Sequence, residues 1–231
     1  MSRKDVSVVL VHGAWADGTS WQKVIGALKA DGVDVVAPSL PLTSLAEDAA
    51  SVERTLERCQ GPVVLVGHAY AGAVIAAVRD EKVRSLIYVA ALAPDEGETV
   101  GEVFGRAAPH PLAPRLAPDE HGLLWLPEDA FAAAFAQRAS AEEQALLAAV
   151  QRPIALSCIS VPVGPPLWKD RPSWYLVAEE DRMIAPETQR YLAERMRARA
   201  RSGPVDHAPM LTAPDVVLGI IRDAMRELAP E

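Results

Sequence analysis

A chain of 231 residues has room for one domain with a full hydrophobic core and an insertion. Half of it is hydrophobic and 23% charged, which excludes extended disorder, and a net charge of −8 excludes nucleic acid as an electrostatic partner. No run is long enough to span a bilayer, and Met1 to Asp5 lead into the first apolar run without the features of a signal peptide, so a cytoplasmic chain with no membrane partner is expected.

In chain order, Val6–Val11, Val33–Ala37, Pro62–Val66, Leu86–Val89 and Trp174–Val177 read as strands, with a short sixth around Ala200–Val205. They lack polar alternation, the pattern of strands buried on both faces of a parallel sheet. Between them Trp21–Ala30, Ser44–Cys59 and Ala71–Arg79 read as amphipathic helices, and Pro214–Leu228 closes the chain. The fold class is therefore α/β, a doubly wound, mostly parallel sheet. From Pro94 to Pro172 the pattern changes. Prolines cluster between Pro109 and Pro118, and helical stretches follow at Pro127–Arg138 and Ala141–Gln151 with no sheet-like run. We divide the chain into a core of residues 1–93 and 172–231 and a helical lid of residues 94–171 over the carboxyl ends of the strands. Arg195, Arg197, Arg199 and Arg201 read as a solvated helix end, and Cys59 and Cys158 as buried free thiols.

The hexapeptide Gly67-His68-Ala69-Tyr70-Ala71-Gly72, following an apolar strand and opening a helix, has the pattern of a nucleophile elbow with alanine at its centre. A methyl group cannot attack a carbonyl, so this chain cannot form an acyl-enzyme at position 69. The partners of a nucleophile are nonetheless found by chain order. Asp181 follows the fifth strand, and His207 lies in the loop before the last helix. Glu179, Glu180, Asp206 and Asp95 are rival carboxylates. Oxyanion donors are expected from the backbone N–H groups of Tyr70, after the elbow centre, and of Ala14, in the first strand-helix loop His12-Gly13-Ala14-Trp15. We place His12, Trp15, His68, Trp125, Phe131, Phe135 and Trp168 around the substrate, with His12 and His68 bracing loops rather than moving protons. Phe131 and Phe135 fit lid packing as well. Leu123 and Leu124 join the apolar wall, His110 and His121 lie in the lid, and Arg106, Arg115 or Lys169 could meet a substrate carboxylate. No metal-ligand spacing is present and no cofactor is expected.

Val9 to Trp15, Val64 to His68, Ala178 to Ile184 and Asp206 to Leu211 together resemble the α/β-hydrolase superfamily, and within it the small esterases related to plant methyl esterases and hydroxynitrile lyases. The resemblance implies position 69 as the nucleophile, His207 as general base, Asp181 as acid, and Ala14 and Tyr70 as the oxyanion hole. It also implies a small apolar ester or lactone as substrate. The chain departs from it at Ala69, where the family has serine. We read the alanine as a serine replaced to inactivate the enzyme, because every partner of the nucleophile is still in place. A natural binding protein, and a natural enzyme using His207 with Asp181 as a general base for elimination, cyclisation or oxygenation, stay open, as does a homodimer.

Overall fold

A computed structural model describes residues 6–228. Its first half is four strands, β1 (Ser7–Val11), β2 (Asp34–Val36), β3 (Val63–His68) and β4 (Val83–Val89), connected by the helices α1 (Gln22–Ala30), α2 (Leu45–Leu56) and α3 (Ala71–Ala77). An insertion follows, with α4 (Val100–Phe104), β5 (Leu123–Leu124), α5 (Glu128–Ala130), α6 (Ala141–Val150), β6 (Ile154–Ala155) and α7 (Ser157–Ser160). The chain then returns through β7 (Ser173–Ala178), α8 (Pro186–Arg195), β8 (Arg199–Gly203), α9 (Pro209–Thr212) and α10 (Pro214–Leu228). The main sheet is parallel throughout, in the order β2-β1-β3-β4-β7-β8.

The continuous apolar runs of the strands serve two cores at once, because successive side chains leave opposite faces. Val9, Val11, Leu65, Tyr88 and Val177 pack beneath α2, α3 and α8. Their neighbours Val8, Leu10, Val66, Val89 and Leu176 pack beneath α1 and α10. From β1 the chain passes first to β2 on one side and later to β3 on the other, so the carboxyl ends of β1 and β3 flank the switch point, where a doubly wound sheet opens a ligand crevice.

Local signals set the helix starts. Ser44 accepts from the Glu47 N–H at the start of α2, and Thr99 with Glu102 and Ser140 with Glu143 form reciprocal capping boxes on α4 and α6. The structure departs from the sequence pattern in four places. β3 and β4 are longer than their apolar runs, since β3 continues through Gly67 and His68 and β4 begins at Val83. The insertion holds a small antiparallel pair, β5 with β6, too short for any alternation to register in the sequence. Within the Pro127–Arg138 stretch the helix widens at Phe131–Phe135 and ends at Ala136, whose N–H reaches back to Phe131 C=O. Arg199 and Arg201 lie on the exposed edge strand β8, paired with Glu227 and Asp223 of α10, and not on a helix end. An edge strand carrying charge resists pairing with another chain. Among the described residues no helix is long and apolar enough to cross a membrane.

Candidate active site

The elbow is a steric construction. Ala69 sits at φ +51°, the left-handed region that costs a residue with a Cβ roughly 1–2 kcal/mol, and the next residue already has helical backbone angles. The turn is clamped from β4 and the loop after it. Val89 C=O accepts the Ala69 N–H at 3.3 Å, and Ala69 C=O accepts from Gly72 at 3.1 Å and Leu92 at 3.0 Å. A Cβ at Gly72 would lie 2.3 Å from Leu92 O, so only glycine lets the helix start so close to that loop. The loop after β1 comes equally near: a Cβ at Gly13 would lie 3.0 Å from the Ala69 methyl.

Two further loops converge on position 69. His207, just ahead of α9, is 2% exposed, and its Nδ1 lies 2.8 Å from Asp181 Oδ2 in the turn after β7. Asp181 accepts three more hydrogen bonds, from the N–H groups of Met183 (2.7 Å) and Ile184 (2.9 Å) to Oδ1 and from Gln189 Nε2 (2.7 Å) to Oδ2. Four donors around a wholly buried carboxylate fix its direction, and the His207 tautomer that meets it carries its proton on Nδ1. The rival carboxylates are engaged elsewhere. Glu179 pairs with Arg190, Glu180 with Arg138 and Asp95 with Lys169, while Asp206 caps Thr212 and the Arg138 N–H.

The His207 imidazole packs edge-on against Phe135 at 5.1 Å and lies 4.7 Å from the His68 ring. His68 Nε2–H donates to the His207 carbonyl at 2.7 Å. Complete burial, with His207 alongside, holds His68 well below the ordinary histidine range, so it is neutral and braces His207 through its main chain. His207 Nε2 has no partner among the described residues, and His207 lines a cavity beside Ala69. Nor do the backbone N–H groups of Ala14 and Tyr70 donate to any described residue, although both residues line the same cavity as Ala69 and His207.

That cavity is apolar and measures about 80 Å³. Ala69, Tyr70, Leu92, Met183, Ile184 and His207 form its core side. The insertion closes it with Val100, Phe104, Leu116, Leu124, Ile154 and Ile159. Trp15 stitches the two halves together: its N–H donates to Arg152 C=O (3.0 Å) and its indole N–H to Leu124 C=O (2.9 Å). Tyr70 turns its hydroxyl away, donating it at 2.7 Å to Asp48, a fully buried carboxylate that also accepts the Leu42 N–H at 2.7 Å.

Of the seven residues expected around a substrate, Trp15 alone is on the cavity wall. His12 is buried behind its loop, where Nδ1–H donates to Gly13 C=O and Nε2 accepts the Leu40 N–H, and burial lowers its pKa. His68 stands behind His207. Phe131 and Phe135 are core residues under the other sheet face, because a large aromatic surface gains most when fully enclosed. Trp168 is enclosed against α3 and donates to Pro94 C=O, and Trp125 is nearly half exposed, its indole on Asp119. Leu123, His110, His121, Arg106, Arg115 and Lys169 are off the cavity as well. The residues that do line it from α4, α7 and the turn after β7 are scattered Val, Ile, Phe and Met, which carry no signal of their own. Cys59 and Cys158 are free and buried. Among the described residues no cluster of three or more His, Cys, Asp or Glu side chains could hold a metal.

A carbendazim-hydrolysing esterase from Nocardioides sp. (strain SG-4G) is 32% identical over 44% of this chain, and the match spans about half (48%) of that esterase. Among solved structures, polyneuridine aldehyde esterase superposes with a TM-score of 0.82 at 19% identity, covering 95% of this chain and 99% of its own. A methylesterase from Arabidopsis superposes with a TM-score of 0.77 at 18% identity, covering 96% and 99%. At such identities these superpositions speak for the fold. The model of the alpha/beta hydrolase family matches residues 8–220, and this chain belongs to that family.

Proposed function

We propose that the cavity is the acyl site of a carboxylic ester or lactone hydrolase in which position 69 is the nucleophile position, His207 the base, Asp181 the acid, and the Ala14 and Tyr70 N–H groups the oxyanion hole. The observation that carries the reading is the buried His207–Asp181 pair beside two backbone N–H groups with no partner among the described residues, all around one left-handed residue. A serine at 69 would place Oγ where Nε2 can take its proton as it attacks the carbonyl, with the carbonyl oxygen moving into the N–H cradle. The adduct collapses as the imidazolium gives that proton to the departing alkoxide, and water activated by the same histidine then releases the acyl group as the acid. With Ala69 the chain binds such a substrate without acylating. The esterase named among the relatives is consistent with this substrate class. The apolar cavity, well below the roughly 300–1,000 Å³ of drug-sized pockets, favours a small acyl group.

Ala69→Ser tests the proposal on a panel of small esters and lactones. It is expected to raise hydrolysis by several orders of magnitude, on the scale of the ~10⁶-fold loss that follows removal of a serine nucleophile. A serine variant inert across the panel sinks the reading. We propose further that the alanine replaces a serine of the natural gene; a serine codon at position 69 supports this and an alanine codon overturns it.

A further inference from the structure

The chain as it stands lacks a nucleophile but keeps everything that surrounded one, and the remaining parts suit a different reaction. His207 Nε2 has no partner among the described residues, and the imidazolium it would form on taking a proton is stabilised by Asp181 at 2.8 Å. Two backbone N–H groups stand free at the same cavity for an oxygen that gains negative charge. The rest of the wall offers no competing acid or base. The Tyr70 hydroxyl is committed to Asp48 and the Trp15 indole to Leu124, and the other wall side chains are aliphatic, phenyl or thioether. In a serine enzyme Oγ stands between the histidine and the carbonyl carbon. With a methyl group at 69, the carbon next to the carbonyl can reach Nε2 while the carbonyl oxygen stays in the N–H cradle. A base facing a C–H bond, with a cradle for the resulting enolate and no nucleophile to intervene, is the constellation for proton abstraction alpha to a carbonyl.

We infer that the Ala69 chain is an enolisation catalyst for small apolar ketones and other carbonyl compounds with an acidic α C–H. This rests on the reading above, in that the same cradle binds the carbonyl oxygen. The His207 Nε2 lone pair takes the α proton. The C–H electron pair becomes the C=C bond, and the carbonyl π pair moves to oxygen, where the Ala14 and Tyr70 N–H groups hold the enolate. The imidazolium exchanges its proton with solvent and returns one to the same carbon, so the net result is hydrogen exchange with no co-reactant but water.

The test is deuterium exchange of phenylacetone, which has no bond for a hydrolase to cleave. The Ala69 protein is incubated with it in D₂O, and loss of the benzylic proton signal is followed by NMR. Exchange is expected to exceed that of free imidazole at equal concentration by roughly 10²-fold or more, the usual scale of positioned general-base catalysis. His207→Gln should bring it to the imidazole level. Ala69→Ser should slow it at least tenfold, because the hydroxyl then occupies Nε2, and this comparison decides the matter if the histidine variant does not fold. Exchange no faster than imidazole, or equal in the Ala69 and serine proteins, overturns the inference. Ester hydrolysis by the serine variant with no exchange by the Ala69 protein leaves the hydrolase reading intact and removes this one; exchange with an inert serine variant does the reverse.

Discussion

Gln189 is the residue whose replacement tests the architecture of the site most directly. It is fully buried on α8 and has three hydrogen bonds: Nε2 donates to Asp181 Oδ2 at 2.7 Å and to Ile184 C=O at 2.9 Å, and Oε1 accepts the Ala178 N–H at 2.9 Å. One amide thus ties the end of β7, the acid and the turn between them. Gln189→Leu keeps a side chain of similar size but strands a buried N–H and a buried C=O, each costing about 1–3 kcal/mol, and removes a hydrogen bond to a charged group worth about 1.5–3 kcal/mol. Partial relaxation and the gain from burying leucine offset some of this, which leaves an expected loss of about 3–6 kcal/mol from a total that is typically 5–15 kcal/mol. Urea unfolding at pH 7 with an unchanged m-value measures it. A loss under about 1 kcal/mol would refute the idea that the amide holds the acid loop. Gln189→Glu supplies the sign. Beside Asp181, the new carboxyl is most stable protonated, when its O–H replaces the amide donor, so its folded pKa rises above the unfolded ~4.3. The stability that this raised pKa contributes is complete below the unfolded value and is lost as pH rises through the folded one. The glutamate variant should therefore lie closest to the parent near pH 4 and fall further behind toward pH 7.

Three other outcomes follow from single contacts. Gly72→Ala drives a methyl group to 2.3 Å from Leu92 O and should lower stability by about 1–3 kcal/mol, read as a drop in the thermal midpoint; a neutral result means that the elbow yields freely. Burial raises the pKa of Asp48, so its stabilising contribution is present at low pH and is lost as pH rises through the folded value. Asp48→Asn, which can keep its bonds to Tyr70 and Leu42, should gain on the parent between pH 4 and pH 7, and a difference independent of pH in denaturant titrations would overturn this. Depressed by burial, His68 contributes stability above the unfolded histidine value of ~6.5 that is lost as pH falls through its folded pKa. His68→Gln, which can still donate to the His207 carbonyl, should flatten that acid limb of the stability profile, and an unaltered limb would show that His68 does not carry it.

The strands, the elbow and the chain order of Asp181 and His207 were legible because each is written in consecutive residues: an apolar run, a small-residue turn, a carboxylate or histidine in a loop at a strand's carboxyl end. The cavity wall was not legible in this way. It is assembled from single residues of α4, α7, β5, β6 and the turn after β7, which meet only when the insertion folds over the sheet. The conspicuous aromatics misled for a physical reason, since Phe131, Phe135 and Trp168 gain more from complete enclosure in a core than from a cavity wall.

One signal in the sequence points to the supporting residues: a polar side chain within the buried face of a helix. On α8 the buried positions are Thr188, Gln189, Leu192 and Ala193, and on α2 they are Asp48, Ala49, Val52 and Leu56. A glutamine and an aspartate each occupy a place in an apolar stripe where burial is costly unless every polar atom finds a partner. Each finds one beside the cavity: Gln189 in Asp181, and Asp48 in the hydroxyl of Tyr70, a residue of the cavity wall. Both helices are thus fastened to the loops around the cavity by a polar residue set in their buried face. The alanine at position 69 takes part in neither link, and His207, hydrogen-bonded to Asp181, shares the cavity wall with Ala14, Ala69 and Tyr70.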